Sequence, residues 1–261
     1  MPKREIKNSR AIVTGASSGI GRAIALELAR QGARVVAVAR REQRLAELAR
    51  EVARLGGEIE TLAGDITDDA TRRAAVEAAQ SRYGGLDILV NNAGVGAMGP
   101  FEKSDPQRAR TVMEVNFFAT IELTRLALPL LHEGTNPIIV NISSIVGLRG
   151  TPHNSVYSAS KFAVQGFSES LRAELARDKV AVLVVSPGTT QTEFFDKVVE
   201  KTGEPAWPEH KPVTPEAVAR QTVHAIRRGK HAIIPYFWGR VMCWINRLSP
   251  SLMDRIMSRY A

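Results

Sequence analysis

One cysteine, Cys243, is the whole thiol complement of this 261-residue chain. An internal disulfide and a cysteine-cluster metal site are thereby excluded, and such sparing use of thiols suits a reducing compartment. The histidines His132, His153, His210, His224 and His231 fall at no ligand spacing, so no metal is expected. No run of 18 apolar residues occurs, so no uninterrupted helix is expected to span a bilayer. Met1-Pro2-Lys3-Arg4-Glu5 leads straight into a polar stretch without an apolar signal region. A cytoplasmic location is the expectation.

What is present is ordinary for a globular protein: 44% hydrophobic and 24% charged residues, with a formal net charge of +8. That excess favours anionic partners. Basic residues are scattered along helical segments and no nucleic-acid-binding motif appears, so no nucleic-acid partner is expected. Solvated helix faces and one anionic cofactor account for the charge.

Short apolar runs alternate with helical patterns. Ala11-Ile12-Val13, Val35–Val38, Ile59–Leu62, Leu86–Val90, Ile138–Ile142 and Val180–Val185 read as buried strands. Ile20, Ile24 and Leu28 share one helix face, as do Leu45, Leu48 and Val52, and long helices are expected near 105–131 and 157–178. Continuous apolar strands separated by helices imply an α/β fold, a doubly wound Rossmann-type parallel sheet covered on both faces. No repeat, linker or charge block divides residues 1–261, so one domain is expected.

Thr14-Gly15-Ala16-Ser17-Ser18-Gly19-Ile20-Gly21 joins the first strand to the first helix. Three glycines permit a tight turn and close helix–sheet packing, and the helix N-terminus offers free N–H groups to a pyrophosphate. A purely structural turn has the same composition. The second strand ends Ala39-Arg40-Arg41, where an enzyme selective for NAD places an acid. Arg40 is suited to a 2′-phosphate, with Ser18 and Arg41 assisting, although solvated loop arginines look alike in sequence.

Tyr157 and Lys161 stand four apart, hence on one helix face. A cation there favours the phenolate; a shift of roughly three units amounts to about 4 kcal/mol and brings Tyr157 toward neutral proton transfer. Taken alone, such a pair also occurs on many solvated helices.

Together these residues resemble the short-chain dehydrogenase/reductase family over nearly the whole chain. Five motifs stand in the family's order: Thr14–Gly21, Asp65 in Gly-Asp-Ile, Asn91-Asn92-Ala93-Gly94, Tyr157-x-x-x-Lys161 and Pro187-Gly188, with Ser144 thirteen residues before Tyr157. The resemblance implies an oxidoreductase that moves a hydride between a nicotinamide, NADP(H) favoured over NAD(H), and a carbonyl or secondary alcohol. Tyr157 is then the proton donor and acceptor, Ser144 bonds the reacting oxygen, Lys161 holds the nicotinamide ribose and lowers the Tyr157 pKa, and Asn116 supports a proton relay. Gly15, Ser17, Ser18, Gly19, Ile20 and Gly21 would cradle phosphates, and Arg40 and Arg41 the 2′-phosphate. Asp65 with Ile66 would meet the adenine. Asn92, Ala93, Gly94, Pro187, Gly188, Thr190 and Thr192 would line the cofactor with Tyr157 and Lys161. A non-catalytic dinucleotide-binding sensor or scaffold on the same fold is the alternative, although it commonly lacks one of the Ser, Tyr and Lys that are all present here.

Residues 189–213, including Phe194, Phe195, Val198, Val199 and Trp207, correspond to the family's substrate lid. With Met98, Phe101 and Leu148 they suggest an apolar substrate, or simply pack on the domain. His153 and Arg149 either touch substrate or remain solvated. The family also implies a homodimer or homotetramer through the two long helices. Residues 236–261 form an amphipathic extension, and from Lys230 onward five Lys or Arg against one acid carry half the net charge. It could meet a membrane surface as a peripheral contact, dock on a sister subunit, or roof the pocket, with docking or roofing favoured.

Overall fold

Strand β1 (Arg10–Thr14) takes its neighbours from apolar runs as short as its own: β2 (Arg34–Ala39), β3 (Glu58–Ala63), β4 (Ile88–Asn91), β5 (Ile138–Ile142), β6 (Ala181–Val185) and β7 (Ala232–Ile233). The computed structural model describes residues 3–194, 198–201 and 211–260; Phe195, Trp207 and His210 lie outside the described residues. The strands form one parallel sheet in the order β3-β2-β1-β4-β5-β6-β7. Its order reverses between β1 and β4, and such a switch point opens a crevice at the strands' carboxyl ends.

Alternation along each strand splits the core in two. Ala11, Val13, Val35 and Ala37 face one layer, and Ile12, Val36 and Val38 face the other. Helices α1 (Gly19–Arg30), α2 (Glu42–Arg54) and α7 (Pro215–Arg228) cover the first layer. Helices α3 (Asp69–Tyr83), α5 (Ala119–His132) and α6 (Ser155–Glu174) cover the second. Ile24 and Leu28 on α1 are fully buried, as are Leu123 and Leu131 on α5. Each such side chain contributes roughly 1.5–3 kcal/mol of burial.

The helix expected over 105–131 runs from Pro106 to His132 with a π-turn inside it. Helix α4 (Pro106–Met113) passes into a π-turn at Glu114–Phe118 before α5 begins. The π-turn carries Asn116, whose side chain bonds the backbone of Val95 on the loop after β4. The helix expected to end near 178 stops at Glu174. Helices α8 (Phe237–Leu248) and α9 (Pro250–Met257) complete the chain, divided where Pro250 ends the first.

Candidate active site

The β1–α1 turn holds its shape because side chains are missing from it. Gly15 and Gly19 have φ of 65° and 55°, the left-handed region. A Cβ on Gly21 would lie 2.2 Å from Asn92 Nδ2 and 2.5 Å from the Gly15 carbonyl. Asn92 Nδ2 donates to the Thr14 carbonyl at 2.9 Å, while Thr14 Oγ1 accepts from the N–H groups of Asn92 and Ala93, each at 3.0 Å. Asn92 therefore pins the turn to the end of β4. Ser18 makes no side-chain cap to α1, so the first-turn N–H groups remain directed at the crevice. These features fit a pyrophosphate.

Arg41 is bound into this cradle. Its guanidinium donates to Ser17 Oγ at 3.1 and 3.2 Å, to Ser18 Oγ, and to Glu193 at 2.9 Å. Arg40, first in line from sequence for the 2′-phosphate, is instead 70% exposed and stands 3.6 Å from Asp65. Burial pushes the Asp65 carboxyl up, but hydrogen bonds from Thr67 and the Arg40 charge outweigh it and hold the pKa below the ordinary value. Arg40, Asp65, Thr67, Gln107, Arg110 and Thr111 line a cleft of about 310 Å³ at this end. Ile66 is buried behind Asp65.

The opposite end gathers residues from four elements. Ser144, at the end of β5, accepts from Val146 N–H at 3.3 Å and donates to the Pro187 carbonyl at 3.4 Å. The Ser144 hydroxyl also acts on the Tyr157 phenol, whose pKa it lowers. Lys161 Nζ lies 5.8 Å from the Tyr157 ring centroid and donates to the Ile142 carbonyl at 3.0 Å. Asn116 Oδ1 accepts from Val95 N–H at 2.8 Å; its Nδ2 donates to the Val95 carbonyl at 3.0 Å and to Ser160 Oγ at 2.9 Å. Ser160 in turn donates to the Tyr157 carbonyl at 2.7 Å. A Cβ on Gly94 would stand 3.1 Å from Asn116 Oδ1 and 3.5 Å from Lys161 Nζ, so Gly94 keeps this space open.

The expected lowering of the Tyr157 pKa by Lys161 does not appear in this arrangement. Burial raises the phenol, and the Ser144 hydrogen bond only partly opposes it. Burial likewise lowers Lys161 to about 8. The ammonium is turned toward a backbone carbonyl, and the ring face is a weak partner for it.

Residues 190–194 touch both ends. A Cβ on Gly19 would lie 3.0 Å from Thr192 Cγ2, and Thr190 Oγ1 donates to the Gly188 carbonyl at 3.0 Å. Phe194 packs on Tyr157 with ring centroids 5.5 Å apart. Val199 N–H and Met98 N–H bond Gly96 and Glu200 carbonyls, at 2.8 and 2.9 Å, which ties residues 198–201 to the loop after β4. Phe101 is 71% exposed among the described residues rather than packed on the domain. Arg149 is turned away from substrate, to Asn246 and Asp254 of the carboxy-terminal helices.

Three contributors had no sequence signal. Glu193 reaches Arg41 and Arg44 across the cradle, and Ser160 bonds Asn116. Beneath the site a buried chain runs from Thr124 through Asn91 and Asn141 to Ser168. Only the polarity of Asn91 and Asn141 within apolar strands could have pointed to that chain.

A glycine cradle at the switch point of a parallel sheet, with Ser, Tyr and Lys side chains beside it, defines a dinucleotide-binding oxidoreductase. The chain belongs to the short chain dehydrogenase family, whose model matches residues 9–203. It is 34% identical over 254 residues to 11-beta-hydroxysteroid dehydrogenase A of Sesamum indicum, covering 93% of this chain and 72% of that protein. A short chain dehydrogenase/reductase from Burkholderia phymatum, solved in complex with NAD, superposes with a TM-score of 0.85 at 26% identity, covering 95% of this chain and 96% of that one. A short chain dehydrogenase from Burkholderia cenocepacia in complex with NADP gives 0.79 at 27%, covering 88% and 97%. The protein is an oxidoreductase acting on CH–OH groups.

Proposed function

We propose that this enzyme uses NADP(H) to interconvert an apolar carbonyl compound and its secondary alcohol. The observation that carries the reading is the convergence of Ser144, Tyr157 and Lys161, the ammonium 5.8 Å from the Tyr157 ring and the Ser144 hydroxyl acting on the phenol, at the sheet's carboxyl edge beside the cradle. The bound dinucleotide supplies the hydride. In reduction Tyr157 gives its proton to the substrate oxygen, and in oxidation it takes that proton back. Ser144 holds the same oxygen by a second hydrogen bond, so developing negative charge meets aligned donors in a site that Phe194 shields from water. Lys161 would hold the ribose hydroxyls of a bound dinucleotide in place of the Ile142 carbonyl, and its charge would then favour the phenolate. Asn116, tied to Ser160, holds the π-turn that flanks Lys161 and passes protons onward.

Preference for NADP(H) rests on Arg40 and Arg41 standing where an acid would select NAD, with Arg41 already held by Ser17 and Ser18. Apolar substrates are favoured by Phe194, which packs on Tyr157, and by Val198, which stands with Phe194 over Gly96. Exposed Phe118 and Phe162, just before α5 and on α6, suit a homodimer or homotetramer built on those helices. No helix among the described residues is long and apolar enough to cross a membrane.

A panel of ketones and alcohols, apolar compounds included and followed by absorbance of the reduced cofactor, tests the reading. Turnover of apolar ketones with NADPH ahead of NADH is expected. Tight NADPH binding with no turnover across the panel would favour a sensor or scaffold instead.

A further inference from the structure

Among the ten large hydrophobic side chains that the described residues leave exposed, five fall within the last 25 positions. They are Phe237 at 64%, Trp238 at 53%, Trp244 at 69%, Leu248 at 69% and Leu252 at 47%. Concentration in about a tenth of the chain sets them apart from the scattered apolar residues of any surface. Phe237, Trp244 and Leu248 recur at a spacing that places them on one face of α8, and the exposed Arg240 and Arg247 stand between them on that face. Helix α8 is seated by its other side. A Cβ on Gly239 would lie 2.7 Å from Ile145, and Met253 and Met257 of α9 are buried. The apolar stripe therefore points outward by construction.

Its charge identifies what it meets. Asp254 is the one acid between Tyr236 and Ala261, and Arg149 pairs with it. Arg240, Arg247, Arg255 and Arg259 give the extension a positive surface. A symmetric contact between two copies would set these arginines against one another. A lipid headgroup layer rich in phosphate complements them, aromatic rings settle at headgroup depth, and leucines enter the acyl region. Single-stranded nucleic acid would engage arginines and rings but leave Leu248 and Leu252 in water.

We propose that the outer face of α8, continued by Leu252 at the start of α9, docks peripherally on an anionic lipid surface. Docking would set the cleft mouth at that surface, because Tyr236 packs on Gly188 and Gly239 on Ile145, next to Ser144. Substrate then enters from the acyl layer as a lipid-dissolved carbonyl or alcohol. That last consequence rests on the oxidoreductase reading; the docking does not.

Flotation of the full-length protein with phosphatidylglycerol-rich vesicles, pure phosphatidylcholine vesicles and a single-stranded oligonucleotide tests it. Binding to the anionic vesicles alone, weakened by salt, is expected. Each arginine near such a surface strengthens binding by roughly fivefold, so Arg240→Glu with Arg247→Glu should cost at least about 25-fold. Trp244→Ser with Leu248→Ser, at exposed positions whose loss leaves the core intact, should weaken binding by about tenfold or more. Turnover of a water-soluble ketone should be unchanged in both variants, which keeps failure of docking separate from failure of the catalytic reading. Three results would overturn the proposal: no vesicle binding, oligonucleotide binding in its place, or a wild-type assembly that sedimentation shows these variants to dissociate.

Discussion

The two halves of the crevice are built by opposite means. At the cradle, Gly15, Gly19 and Gly21 work through what they lack, since a Cβ on any of them would meet another atom within 3.0 Å. At residues 190–194 and the carboxy-terminal helices, the contacts come from large side chains far apart in sequence: Phe194 on Tyr157, Tyr236 on Gly188, Arg149 on Asp254. A surface shaped by backbone and glycine tolerates little change and serves an invariant ligand. A surface shaped by side chains can be remodelled without moving the sheet, which suits the variable partner of the reaction.

The sharpest way to break that comparison is Gly21→Ala. Its new methyl meets Asn92 and the Gly15 carbonyl, so either folding fails or NADPH affinity drops by about 100-fold or more. Gly166→Ala, in α6 with nothing within 4 Å, should instead stabilise by roughly 0.5–1 kcal/mol. Thermal melts with cofactor titration distinguish the two, and similar outcomes would contradict the contrast.

Lys161→Met comes next. Burial places the folded pKa of Lys161 near 8, below its unfolded value. Its charge therefore costs stability below pH 8, and that cost fades as pH rises from 8 toward the unfolded pKa. The variant should melt higher at pH 7, by about 1–3 kcal/mol, while turnover falls about 100-fold. In the wild type, kcat/KM for reduction should decline as pH rises through about 8. A variant that keeps this decline would assign it to another group.

A smaller effect probes the join between the halves. Glu193 pairs with Arg41 where an anionic cofactor group would approach, and both side chains are more than a third exposed. Glu193→Gln should tighten NADPH by only about threefold and leave NADH nearly unchanged. Arg41→Ala should weaken NADPH by about tenfold or more, and by more than Arg40→Ala does. Equal losses for both nucleotides would separate Arg41 from the 2′-phosphate.

Legibility in sequence follows the same division. Apolar runs such as Val35–Val38 and glycines at 15, 19 and 21 are local signals, and the sheet and the cradle follow from them. Nothing near Asn116 marks the π-turn, and the partner of its side chain, Val95, lies in another segment. Helix spacing and the family resemblance both bring the Lys161 ammonium toward the phenol; the end of β5 supplies a carbonyl that competes for it. Arg40 and Arg41 are adjacent and alike in sequence, and only the positions of Ser17 and Asp65 tell them apart. The contacts of Phe194 and Val198 with Gly96 and of Tyr236 with Gly188 join distant segments, and no periodicity announces them.

The central claim is that the Tyr157 hydroxyl carries the proton of the reaction, and Tyr157→Phe tests it most directly when NADPH binding and turnover are measured on the same preparation. The account predicts a dissociation constant within about twofold of wild type and turnover lower by roughly 10²–10⁴. Turnover close to wild type would contradict it.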